Sequence, residues 1–323
     1  MFIILSIVIK KTDIVFRTLQ RTDFAQVREI SKDIWEGDDY VPHVFQKWIK
    51  DTDAANFGIF LPKKSDSEEE PELIAFGRVK FYSDTIAWME GGRVKSAYQK
   101  KGVGIILTEY AIQIALEHGC NLIQYATYSD NDGSIALAQR FGFIQKDYLV
   151  FLEAAISEIN FVKIPENFTY SKIPVQNIYD FMVNHLEDSP ENINVGFSFF
   201  PNRPEFFQKL GSHYLWLGSK HTIVRIELPI TTENHEGPEE EGIWCTIYGK
   251  SVEGFNILGD FIQKYSQLEK KAIMKVVLFV PKKIAKFFLL NGFHYDLHQE
   301  NKETGEKEGL RETGVLLFEK KVE

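Results

Sequence analysis

The stretch "AYQKKGVGIILTEY" brings two cations and two glycines together at Gln99, Lys100, Lys101, Gly102, Val103 and Gly104, directly ahead of a long apolar-periodic run. Glycines at that spacing let backbone approach a ligand closely. A helix that starts there offers free N–H groups and the positive end of its dipole to an anion. Lys100 and Lys101 add charge, so the chemistry implied is the holding of a phosphate or pyrophosphate. Three motifs compete for that role. A Walker loop needs GxxxxGK[ST], which the sequence lacks. A Rossmann fingerprint needs a third glycine after "GVG" and an acid on the following strand, and "NLIQYATY" carries none. What remains is Q-x-x-G-x-G between a strand and a helix.

A second group of residues could act on whatever is held there. Glu90, flanked by Trp88 and Met89, precedes the loop on the same strand. A carboxylate in that place can take a proton from an amine, since amines are mostly protonated near neutral pH. The competing reading is a strand carboxylate paired with an arginine. Arg93 can fork onto a carboxylate. Asp38 and Asp39 can pair with a cationic or imidazole group, and Trp35 and Tyr40 can supply aromatic walls. Each also has a plain surface or packing role open to it. Of the histidines only His294 and His298 share an i, i+4 spacing, too few ligands for zinc, so no metal is expected. Cys120 and Cys245 form no CxxC and suit a reducing, cytoplasmic setting.

These residues need elements to place them. From Ile14 the sequence predicts a short strand, then a helix with Phe24, Val27, Ile30, Ser31 and Ile34 on one face and Thr22 or Asp23 as its cap. A second short helix follows Pro42. Strands "NFGIFL" and "ELIAFGRVKFY" flank the acidic loop "PKKSDSEEEPE", read as a solvated hairpin. The strand "TIAWMEGGRVK" leads into the loop, and a helix runs from Gly102 to His118, stopped by Gly119. Strand "NLIQYATY", helix "GSIALAQRF" and strand "KDYLVFLEA" complete an α/β layered domain ending near residue 160. The opening "MFIILSIVIKK" is too short for a membrane span and reads as an added strand.

The second half repeats this order. "MKVVLFVPKKIAKFFLLNGFHYD" parallels "NLIQYATYSDNDGSIALAQRFGFIQKD", "GIWCTIYGK" with "GFNILGDFIQKYSQ" parallels the earlier strand and helix, and "GVLLFEKK" parallels "YLVFLEA". Two tandem copies of one fold are expected, over residues 1–160 and 161–323, with no counterpart of the 99–104 loop in the second. The net charge of −9 over 323 residues argues against partners such as nucleic-acid backbone or an anionic membrane, while leaving room for a local cationic pocket.

The run "MEGGRVKSAYQKKGVGIILTEYAIQIALEHG" followed by "NDGSIALAQRFGF" resembles the GCN5-related N-acetyltransferases over residues 14–160 or so. The resemblance implies a mixed sheet flanked by helices and acetyl-CoA as co-substrate. It implies that backbone at Val94 meets the pantetheine and thioester carbonyl, that Gln99 to Gly104 cradle the pyrophosphate, and that Asn131 steadies the pantetheine arm. The family's usual general acid is a tyrosine where this sequence has Ala138, so Tyr125 or Tyr128 would have to substitute, or the thiolate would leave unassisted. A shorter segment, "IWEGDDYVPHVFQKWIKD", is similar to histidine N-acetyltransferase-like proteins, though Asp38 stands where an apolar residue is expected. Three functions follow: acetylation of a free amino acid, histidine above all; acetylation of protein or polyamine amines; and CoA binding without transfer.

Overall fold

The computed structural model describes residues 11–34, 37, 39–62, 70–210, 214–227, 242–269, 273–295 and 312–322. The expected N-terminal strand, most of the acidic loop, Trp35 and Asp38 lie outside them. Elements follow in the order β1 (Val15–Thr18), α1 (Phe24–Ser31), α2 (Val41–Trp48), β2 (Ala54–Leu61), β3 (Glu72–Ser83), β4 (Ile86–Val94), α3 (Val103–Glu117), β5 (Leu122–Tyr128), α4 (Asp132–Arg140) and β6 (Ile144–Ala155). The second half adds β7 (Ser171–Lys172), α5 (Ile178–His185), β8 (Asn192–Val195), β9 (Ser198–Pro201), α6 (Pro204–Phe207), β10 (Tyr214–Ser219), β11 (Thr222–Glu227) and β12 (Gly242–Gly249). It closes with α7 (Ser251–Glu269), β13 (Lys275–Pro281), α8 (Lys282–Leu289), β14 (His294–Tyr295) and β15 (Gly314–Lys321). This is the mixed α/β architecture expected, strand and helix alternating in both halves.

Two compact units emerge, and neither is a simple half of the sequence. The first comprises residues 1–125, 132–145 and 318–323, the second 126–131 and 146–317. In the first, β1, β2, β3 and β4 pair antiparallel in sequence order, and β5 joins parallel to β4. Its core gathers the apolar stripes of α1 and α2 against the sheet, with Val27, Ile30, Val41, Phe45, Phe60, Leu73 and Phe76 nearly sealed from solvent. Residues from the far end of the chain complete it. The Val322 N–H bonds to Asn121 O at 2.8 Å, Gln124 donates to Glu319 at 3.1 Å, and Phe318 stacks on Tyr125.

In the second unit β13 pairs parallel with β12, and β11 and β10 continue antiparallel. On the other edge of β13 lies the stretch Leu149–Ala155 of β6, and β14 pairs with β6 in turn. Helices α7 and α8 seal that sheet through Phe255, Ile257, Leu258, Ala285 and Phe288. No helix among the described residues is long and apolar enough to cross a membrane.

Candidate active site

Strand β4 changes partners along its length. From Ile86 to Trp88 it has β3 on one edge and β5 on the other, through the pairs Ile86–Leu122, Ala87–Ile123 and Trp88–Gln124. Beyond Trp88 the register with β5 ends, while that with β3 runs on to Val94. A bulge sits at the point of separation: Phe76 faces Arg93 and Arg78 faces Glu90, so Gly77 stands opposite both Gly91 and Gly92. Bulges bend a strand and raise its twist. Gly91 makes this one possible, because a Cβ there would lie 2.4 Å from the Trp48 ring.

The split leaves polar backbone in the gap. The Lys95 N–H bonds to Ile74 O on β3 at 2.9 Å. Backbone groups of successive strand residues point to opposite edges, so the N–H and C=O of Val94 face away from β3. The Gln99 side-chain amide donates to that Val94 carbonyl at 3.1 Å.

Residues 95–102 then turn the chain into α3. Lys100 is the one non-glycine with positive φ among the described residues, at 57°, and Gly102 follows at 85°. Glu72 ties the turn down, accepting from Lys95 Nζ at 2.6 Å and from the Tyr98 hydroxyl at 2.7 Å. The first helical bonds run from Ile105 and Ile106 to Gly102 O, at 3.1 and 3.2 Å. Helix geometry leaves the N–H groups of Val103 and Gly104 without intrahelical partners. A Cβ on Gly102 would meet nothing within 4 Å, and one on Gly104 would meet only Leu137 Cδ1, at 3.7 Å. Neither glycine is there to relieve crowding inside the protein. Room, N–H donors and a helix dipole fit a pyrophosphate group such as that of acetyl-CoA.

Glu90 lies on the bulged part of β4. Arg78 Nε donates to its Oε1 at 2.7 Å, and its side chain keeps 21% exposure. Among the described residues Oε2 has no partner. Arg78 is 2% exposed and fully engaged, with Nη2 on Asp51 and Nη1 on Asn56 Oδ1 at 3.0 Å and Trp48 O at 3.3 Å. Burial pushes the Glu90 carboxyl above its usual range, and Arg78 opposes that rise. Tyr40 lies close enough for the Glu90 charge to join desolvation in raising its phenol. Its ring meets Trp48 edge-on, with centroids 6.0 Å apart.

Other expected residues are engaged elsewhere. Arg93 forks onto Asp39, with Nε to Oδ2 at 3.1 Å and Nη2 to Oδ1 at 2.8 Å, and Asp39 is 1% exposed. The two spend their charges on each other, and an acceptor could use either only by opening the pair. The Tyr125 hydroxyl donates to Ser134 O at 2.9 Å, and burial pushes it up to about 12. Ala138 is buried. Asn131, next to the start of α4, clusters with the second unit, as does Tyr128. Arg78, Asp51 and Asn56 were not expected from the sequence. The one signal was an arginine within the otherwise apolar run "ELIAFGRV".

Residues 24–143 match the acetyltransferase (GNAT) family. That acetyltransferase segment contains the whole of β4, the loop and α3. The fold extends the likeness to both halves. A GCN5-related N-acetyltransferase from Sphaerobacter thermophilus superposes with a TM-score of 0.59 at 12% identity, over 96% of this chain and 96% of that one. A candidate acetyltransferase from Thermoplasma acidophilum gives 0.57 at 15% identity, over 95% of this chain and 100% of the other. One from Pyrococcus horikoshii gives 0.55 at 14%, over 98% and 92%. No curated protein matches the sequence. Among the described residues, no group of three His, Cys, Asp or Glu is placed to hold a metal. A cavity of about 320 Å³ in the second unit is lined by Glu153, Glu158, Lys275 and His294. Its Lys275 already pairs with Glu153 at 2.5 Å and it has no glycine loop, so the acetyltransferase segment is the better candidate.

Proposed function

We propose that the chain is an acetyl-CoA-dependent N-acetyltransferase that acetylates the α-amino group of a free amino acid, with L-histidine the first acceptor to test. The observation that carries this reading is the end of β4–β5 pairing at Trp88, next to a helix start with open space at Gly102. In this reading residues 1–160 are the acetyl-CoA-binding copy and 161–323 a degenerate one.

Bound acetyl-CoA supplies the activated acyl group. The Gln99–Gly104 loop holds the pyrophosphate with backbone N–H groups and the charges of Lys100 and Lys101. The Val94 N–H, aimed into the gap, donates to the acyl oxygen, where negative charge builds as the amine attacks. Glu90 Oε2 takes the proton from the acceptor's ammonium group, leaving a neutral nucleophile. Tyr40 walls the acceptor, with Asp39 and Arg93 the polar groups at hand; the roles expected of Trp35 and Asp38 rest on the sequence alone. A thiolate is a good enough leaving group to depart without an acid, its conjugate thiol having a pKa of about 8.5; Tyr125 could protonate it only after releasing Ser134.

That last requirement favours a second reading, CoA binding without transfer, because Ala138 carries no acid and the Tyr125 hydroxyl is occupied. Thiol release from acetyl-CoA, followed across a panel of amino acids, polyamines and peptide N-termini, separates the readings. Release with histidine and weak or no release with peptides supports the first. Binding without release from any amine supports the second.

A further inference from the structure

The setting of Glu90 contains one acid more than its cation can satisfy. Arg78 stands between two carboxylates, Asp51 on Nη2 and Glu90 on Nε at 2.7 Å. The guanidinium cannot swing toward either, because Nη1 is fixed by Asn56 Oδ1 and Trp48 O, and Asn56 is itself fixed by donating to Trp48 O at 2.8 Å. The matching place in the second unit shows that an arginine here needs no such arrangement. Arg225 lies opposite Thr246 on β12, as Arg78 lies opposite Glu90 on β4. It is satisfied by the Thr246 hydroxyl at 3.0 Å and by Glu227 at 3.3 Å.

Resting on the reading of Glu90 as the base, we propose that Arg78 and Asp51 are positioning residues for it. Arg78 anchors one carboxylate oxygen and leaves the other toward the acceptor, while Asp51 takes up part of the guanidinium's charge. The group of three carries one net negative charge. Asp51 sits in the turn after α2 at 27% exposure and stays ionised at the lower solvation cost. Glu90, the more desolvated acid, is left incompletely neutralised and therefore basic. The other charged or titratable groups facing it are Lys80 on β3 and Tyr40 at the start of α2. In the proton step an ammonium N–H bond breaks, its electron pair stays on nitrogen, an O–H bond forms at Oε2, and water later removes that proton.

The two positioning residues should act in opposite directions. Asp51→Asn frees Arg78 for Glu90 alone and should lower the Glu90 titration midpoint by about one pH unit. Arg78→Gln removes the cation bonded to Glu90 among the described residues and should raise it by about one unit or more. The midpoint is read by carboxyl carbon NMR on the full chain, with Glu90→Gln assigning the signal. The acid limb of the kcat/KM profile should move with it, and acetyl-CoA affinity should not. Shifts of the same sign, or no shift in Asp51→Asn, overturn the proposal. If Arg78→Gln fails to fold, Asp51→Asn decides alone. If the midpoint moves and the rate profile does not, the positioning stands and Glu90 is not the base.

Discussion

The starts of α3 and α7 make the same turn from strand to helix, and they differ in what the turn faces. In the first unit residues 95–102 lie between β4 and α3, while in the second Lys250 alone lies between β12 and α7. Gly102 has open space where a side chain would be, but a Cβ on Gly249 would sit 2.1 Å from His221 O. The Thr222 hydroxyl accepts from the Lys250 N–H at 2.9 Å, so protein fills the position a ligand would take. The strands differ likewise. Both lose their parallel partner before they end, but β12 keeps it from Gly242 to Thr246 of a strand ending at Gly249, and β4 only from Ile86 to Trp88 of a strand ending at Val94. A glycine is informative about ligands when nothing inside the protein explains it. By that measure Gly104 is the informative position in the first unit, because the positive φ of Gly102 is itself a reason for glycine, while Gly249 and Gly254 in the second are explained by close neighbours.

The largest expected effect comes from making the first unit more like the second at its carboxylate. Glu90→Gln keeps the shape but removes the base, and turnover at pH 7 should fall at least ~100-fold, with acetyl-CoA affinity nearly unchanged. The deficit should shrink at high pH, where more of the amine is already neutral. Normal turnover at pH 7 would make Glu90 a structural partner of Arg78.

Gly104→Ala tests the loop. The methyl group has room against Leu137, so the protein should keep or slightly gain stability, by up to about 1 kcal/mol. Acetyl-CoA should bind about tenfold more weakly, the cost of displacing one charge-assisted bond. A calorimetric affinity equal to the parent's would mean the glycine faces no ligand.

The opposite outcome is expected at Gly254 on α7, where a Cβ would come within 2.5 Å of Ile247. Gly254→Ala should cost about 1–3 kcal/mol in denaturant unfolding and leave acetyl-CoA affinity alone. The same contrast sets the stoichiometry at one acetyl-CoA per chain. Two equivalent sites in a calorimetric titration would erase the distinction between the helix starts.

Much of this was readable in the sequence because it is local. The helix from Gly102 and its stop at Gly119 follow from residue spacing, and α3 spans Val103–Glu117. The strand order around the loop comes from the same periodicities. What could not be read depends on register. Nothing in "ELIAFGRVKFY" says that Arg78 will face Glu90, and the Arg93–Asp39 pair joins residues far apart in sequence. The bulge opposite Gly77 shifts the register between the Arg78–Glu90 and Phe76–Arg93 pairs, and Trp48 lies against Gly91 within it. The likeness of "YLVFLEA" and "GVLLFEKK" was visible as well. Which unit each strand joins was not, since strand pairing is chosen by neighbours in space.

Residues 318–323 belong to the first unit, although they follow everything in the second. During translation the loop, α3 and β5 leave the ribosome well before Phe318 does, an interval on the order of ten seconds or more at ordinary elongation rates. Throughout that time Tyr125 lacks the ring it stacks on, and the edge beside Asn121 and Gln124 has no strand to bond. The nascent first unit must therefore wait with an open, apolar edge, a state that chaperones shield and proteases recognise. A ribosome that stalls before Phe318 releases a chain whose first unit was never closed.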